Sequence, residues 1–254
     1  MLLKAALLFL TSCAVLTHGV PAESSRSSEL SGGTPAVQGE FPWHVSIQII
    51  YILVWTPFCD GVIISRDLII THGFCAQMSP ESYQSYRILA GILDYSNPGS
   101  IHKITETYLD EISTNFLGIM RVDPPFEFTS DIGPVRLPIA YAESLPGTVM
   151  TVSGLGETSP LEPVRFLAKL DMPIMAKDLC SSLYQGIGMQ YLICTGDFNN
   201  ETGFCTQNSD IGGAPLVYDG ELRGVLISTN SCVLPEVYSE VSLFREWIFQ
   251  IAGV

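Results

Sequence analysis

Positive charge is scarce in this chain. Lys and Arg total 12 against 26 Asp and Glu, a net charge of −14 over 254 residues. Such a surface repels phosphate backbones and anionic lipids, so neither nucleic acid nor a membrane partner is expected. Metal-binding spacing is also lacking. No C-x-x-C occurs, and His44, His72 and His102 are scattered, so no metal and no cofactor is expected. Internal repeats and low-complexity tracts are missing too. Charged residues make up only 15% of the chain and hydrophobic ones 47%, enough to bury a sizeable core and too apolar for disorder.

Long apolar runs are confined to the start. "LLKAALLFLTSCAVL" holds one charge, Lys4, and small residues follow at Gly19 and Ala22. The run is shorter than the roughly 18 to 20 residues a membrane span needs. Residues 1–22 therefore read as a secretory signal cut after Gly19 or Ala22, and the protein as secreted, with no membrane span. Removing it takes away Lys4 and no acid, which leaves 11 basic side chains against 26 acidic ones, a net of −15. Cys13 leaves with it. Cys59, Cys75, Cys180, Cys194, Cys205 and Cys232 remain, an even set that implies three disulfides with the pairing left open.

Residues 23–29 are short and polar. Beyond them, apolar stretches such as "HVSIQII", "GVIISRDLII", "GTVMTVSGL" and "LRGVLIST" alternate with Gly, Pro, Asn and Ser. Period-2 patterns and β-branched residues predict an all-β protein of two barrels or sandwiches. "RLPIAYAESLPG" (136–147) is the best linker. One helix is predicted near 242–252, with Leu243, Trp247, Ile248 and Ile251 on one face and Ser242 as its N-cap.

Several motifs occur together and in a telling order. "GGTPAVQGEFPWHVSI", "FCDGVIISRDLIITHGFC", "NFLGIMRVDPPFEFTSDIGPVRLP", "VSGLGET", "DIGGAPLV" and "CVLPEVYSEVSLFREWI" follow one another from residue 32 to 248. The chain resembles the trypsin/chymotrypsin family of serine proteases. The resemblance implies two antiparallel six-stranded β-barrels, barrel 1 at about 30–135 and barrel 2 at about 148–240, with a C-terminal helix. It also implies the pairs Cys59–Cys75, Cys180–Cys194 and Cys205–Cys232.

The family's chemistry needs a serine, an imidazole that takes its proton, and a buried carboxylate that orients the imidazole. The resemblance assigns the imidazole to the residue before the second cysteine of T-A-A-H-C, here Phe74. His72 falls two residues earlier. A helical turn there would rotate it by about 200° from the slot. The carboxylate position of N-D-I-A-L-L holds Phe116. Asp110 and Glu111, upstream, read as surface carboxylates. The serine falls on Ile211 when counted forward from Asp210, or on Gly212 when counted back from "APLV". Ser209 precedes the acid instead of following it. Losing one member of such a triad costs about 10⁴-fold, and losses are not additive.

The accessory features depart as well. "LSGG" at 30–33 stands where activation would expose a new terminus. It follows Glu29, and Arg26 is the nearest upstream basic residue. Gly203 matches the base of the specificity pocket. Leu226, Ile227 and Ser228 replace its usual wall, and Glu236 replaces a glycine and should fill the slot. The stretch 48–58, "QIIYILVWTPF", reads either as an apolar interaction patch or as a longer hairpin packed on the body. Asn200 opens a glycosylation sequon. The expectation is thus a secreted serine protease homologue without catalysis, acting as a cofactor, ligand or decoy through an unidentified protein partner. The alternative is an active serine-type endopeptidase with a regrouped set such as His72, Ser209 and a carboxylate.

Overall fold

Strand β3 (His44–Tyr51) alternates polar and apolar residues. Val45 and Ile47 point into a barrel core with Ile63, Ile69, Ile88 and Met120. His44, Ser46 and Gln48 lie on the opposite face, yet they are buried as well. On that face His44 meets Ser153 of a second body of strands and Gln48 lies under Arg87, so here period 2 marks two different buried environments.

A computed structural model describes residues 30–113, 115–156, 166–184, 188–196, 203–204, 212–228 and 234–254. The first body is a closed barrel. Around it run β3, β4 (Val54–Ile63), β5 (Leu68–His72), β8 (Leu117–Asp123), β7 (Ser100–Leu109) and β6 (Tyr86–Ala90). The second is built on β9 (Val149–Gly156), β10 (Phe166–Pro173), β11 (Leu192–Thr195), β13 (Pro215–Tyr218), β14 (Glu221–Ser228) and β15 (Glu236–Glu240). They pair in the order β11-β15-β14-β13-β9, with β10 on β9. A bridge between Ile174 and Thr195 brings the end of β10 back to β11. The two-barrel architecture expected from the motifs is present.

The N-terminal segment differs from expectation. The two-residue strands β1 (Leu30–Ser31) and β2 (Thr34–Pro35) join the second sheet, through β9, β10 and β12 (Gly203–Phe204). The first barrel therefore starts near His44. Leu30, with Met150 and Val152, belongs to the second body's core, and that burial holds the segment there.

The C-terminus packs across the seam. A 3-10 turn, Val241–Phe244, precedes the helix α3 (Arg245–Ala252). Phe244 and Ile248, one turn apart, are buried with Val62, Leu117 and Ile119 of the first barrel and Leu222 and Val225 of the second. Leu243, Trp247 and Ile251 pack against the same cluster. Ser242 is not the N-cap. It is buried inside the 3-10 turn, where its carbonyl accepts from the Tyr141 amide at 3.0 Å. Gly253, at φ 68°, ends the helix by donating to the Phe249 carbonyl. No helix among the described residues is long and apolar enough to cross a membrane.

Candidate functional site

The expected site lies where the two bodies meet. It is held first by covalent geometry. Cys59 on β4 and Cys75 on the short helix α1 (Gly73–Ala76) form a disulfide with Cα atoms 6.2 Å apart. Cys180, on the helix α2 (Lys177–Leu183), and Cys194 form a second, with the same Cα spacing. Cys205 and Cys232 lie outside the described residues, as do Arg26, Asn200, Ser209, Asp210 and Ile211.

The bond to Cys59 fixes Phe74 directly before Cys75. Its ring is 45% exposed and packs on Phe58, with centroids 5.9 Å apart. His72 is not within α1. It precedes the helix in an extended conformation, φ −64° and ψ 140°, so the helical rotation expected to carry it away does not apply. Its ring turns instead toward Gly212. A Cβ placed on Gly212 would lie 2.6 Å from His72 Nδ1 and 2.7 Å from His72 Cβ. Burial lowers the His72 pKa to about 4. Among the described residues no carboxylate lies within 4.0 Å of its ring.

Gly212 and Gly213 are clamped by the first barrel. The Asp60 amide donates to the Gly212 carbonyl at 2.9 Å. Gly213, at φ 93°, approaches so closely that a Cβ there would fall 1.8 Å from the Asp60 carbonyl oxygen. The Thr71 hydroxyl donates to that same oxygen at 2.6 Å.

Phe116 is half-buried against the cluster of Cys180, Tyr184, Leu192 and Val237 in the second body. Its carbonyl accepts from the Gly73 amide at 3.1 Å. Asp110 is not a surface carboxylate. It is fully buried and accepts from the Ser113 amide, the Ser113 hydroxyl and the Leu117 amide, each at 2.8 Å. A carboxylate that closes its own turn in this way can be buried without a counter-ion. Glu111 is exposed.

Glu236 is buried, and the Tyr238 hydroxyl donates to its Oε2. Its Oε1 lies 2.5 Å from where a Cβ on Gly203 would sit. The carboxylate therefore stands over Gly203, at the position expected for the pocket base. Leu226 and Ile227 are buried. Ser228 ends β14.

One constellation escaped the sequence reading. His44 Nε2 lies 3.3 Å from Asp60 Oδ1, and His44 Nδ1 lies 3.0 Å from the Ser153 hydroxyl. With its proton on Nε2, His44 donates to Asp60 and accepts from Ser153. This is an Asp–His–Ser line, but all three residues are buried, and no substrate carbonyl can reach the hydroxyl. It works as a polar bolt between the barrels. The available signal was Asp60, a charge immediately after a half-cystine inside a strand.

Residues 30–248 match the family described as Trypsin. The chain belongs to the trypsin family. Trypsin zeta of Drosophila melanogaster is 30% identical to it over 273 residues, covering 95% of this chain and 94% of its own. Trypsin 5G1 of Aedes aegypti is 26% identical over 239 residues, covering 90% and 86%. The solved structure of human heparin binding protein superposes with a TM-score of 0.72 at 24% identity, over 87% of this chain and 96% of that one. A structure described as that of GrC gives 0.74 at 17% identity, over 88% and 99%. These two show a common fold. The trypsin family is one of serine endopeptidases, and the relatives carry the name trypsin.

Proposed function

We propose that this chain is a non-catalytic, secreted member of the trypsin family that acts by binding protein partners. The observation that carries this reading is the pairing of Gly212 with His72. The residue at the back-counted nucleophile position has no hydroxyl, and the space beside its Cα is taken by an imidazole. The neighbouring base position presents the phenyl ring of Phe74, which can neither take nor return a proton. Phe116 supplies no carboxylate. Forward counting assigns the nucleophile to Ile211, which is no better. Loops on a rigid double barrel can still recognise partners once the chemistry has gone. Secretion is supported by the apolar leader and by the family; Asn200 would carry the glycan, and Cys205–Cys232 would complete the disulfides.

The heparin binding named for one structural neighbour does not transfer. With 26 acidic residues against 12 basic ones, this chain would repel a polyanion.

A second reading is favoured by the names of the relatives: an active endopeptidase using His72 with Ser209 and a carboxylate. A fluorophosphonate probe separates the two. The non-catalytic reading predicts no covalent labelling, with or without cleavage at Arg26. Labelling that Ser209→Ala abolishes would establish the enzyme. Recovery of a stoichiometric complex from the native secretion would then identify the partner.

A further inference from the structure

The β3–β4 hairpin ends in a two-residue turn, Ile52–Leu53, closed by the Tyr51–Val54 pair. Both turn residues have positive φ, 45° and 67°. That geometry favours Asn-Gly and disfavours Leu and, above all, the β-branched Ile. The two side chains are 77% and 91% exposed, and those of Tyr51 and Val54 are 69% and 60% exposed. A strained backbone thus holds an apolar tip in water. Neither property is needed to close a hairpin. No charged residue occurs from Ile49 to Cys59.

Behind the tip the rungs are ordered by polarity. Ile52 and Leu53 lead, Tyr51 and Val54 follow, then Ile50 and Trp55. At that third level the Arg87 guanidinium lies 4.4 Å from the Trp55 ring centroid. Arg87 also donates to Gln48 Oε1 at 2.7 and 2.9 Å. Trp55 stands two residues behind the turn, about 7 Å at ~3.4 Å per residue. Interfacial segments sink about 5–10 Å into a lipid layer. Trp, Tyr and Arg are the side chains that settle at the headgroup level. The strand ladder continues up to Tyr51 and Val54, so only the short turn, Ile52–Leu53, lies beyond cross-strand pairing.

The geometry points to a lipid surface as the occupant: this hairpin inserts Ile52 and Leu53 into a zwitterionic phospholipid layer. Tyr51, Trp55 and Arg87 then lie among the headgroups. Charge selects the lipid class. A chain of net charge −14 is repelled by an anionic leaflet but not by phosphatidylcholine. The sequence-based expectation against a membrane partner rested on that repulsion, which a zwitterionic layer does not exert. This inference does not depend on the chain being non-catalytic.

The test uses protein recovered from the medium of secreting cells, floated with phosphatidylcholine vesicles. Wild type floats with them, and floats at least threefold less when phosphatidylserine is included at low salt. The variant I52N/L53G suits the positive φ angles, so it keeps or raises the Tm, and it loses at least tenfold in flotation. Trp55 fluorescence is quenched by shallow doxyl-labelled lipid, and Trp55→Phe removes that quenching. Wild type remaining in the soluble fraction would overturn the proposal, as would equal flotation of I52N/L53G. Self-association abolished by I52N/L53G without any flotation would assign the tip to a second copy instead. Each of these results leaves the phosphonate experiment unaffected.

Discussion

His72 Nδ1 lies 2.6 Å from the point where a side chain on Gly212 would begin. The imidazole and any side chain at position 212 are thus mutually exclusive occupants of one space. Introducing a serine at Gly212 does not rebuild a nucleophile; it collides with an atom close to the backbone, His72 Cβ. Gly212→Ser is expected to cost about 1–3 kcal/mol, as overpacking does. It should confer no hydrolysis. His72→Gly in the same chain removes the clashing side chain and should restore part of the loss. Urea denaturation of the two variants checks this, and a neutral effect of Gly212→Ser alone would refute it.

His72 should make stability depend on pH in one direction. Its folded pKa is held down to about 4 by burial, below its unfolded value. The unfolded chain then binds more protons between those values, so stability rises with pH. The contribution is complete above about pH 6.5 and is lost as pH falls through about 4, amounting to about 3 kcal/mol. His102, also lowered by burial, moves the wild type the same way. The difference between wild type and His72→Gln isolates His72. A parallel pair of stability curves from pH 7 to 4 would contradict the assignment, and the ring resonances of His72 give its pKa directly.

The bolt of His44, Asp60 and Ser153 should behave as a coupled unit. Asp60→Ala leaves a buried imidazole N–H without its acceptor and should cost about 1–3 kcal/mol. His44→Leu combined with Asp60→Ala should cost less than the two single changes together, because neither partner is then left unsatisfied. A double-mutant cycle in urea reads the coupling. Additive losses would mean that the pair contributes through packing alone.

The Cys59–Cys75 bond spans 16 residues. Replacing both by Ala should lower stability by about 3 kcal/mol through the freed unfolded chain. It should also release α1, and with it the ring of Phe74, from its register. Denaturation of the double variant measures the first effect. Faster amide exchange confined to residues 72–77 measures the second.

Much of this was legible in residue order. The β character followed from short period-2 runs, and the terminal helix face followed from 3.6 spacing. The Cys59–Cys75 pair, implied by the family resemblance, is formed. Other features were not legible. Asp110 reads as a surface charge until its turn folds over it and offers two amides and a hydroxyl. Ser242 reads as a cap until a 3-10 turn shifts the helix start to Arg245. The 48–58 stretch reads equally as a patch or as packing, and only the hairpin's projection separates its exposed tip from the Trp55 and Phe58 beneath it.

By itself the sequence determined which chemical groups are available at the positions that matter. The residue before Cys75 is a phenylalanine, whatever the rest of the chain does. The tertiary structure alone decided where His72 points, which carboxylates are buried, and that His44 meets Ser153 across 109 residues of chain. The physical reason is that residue type and covalent register are local properties. Burial and partnership arise only when two sheets close on each other and exclude water from the face between them.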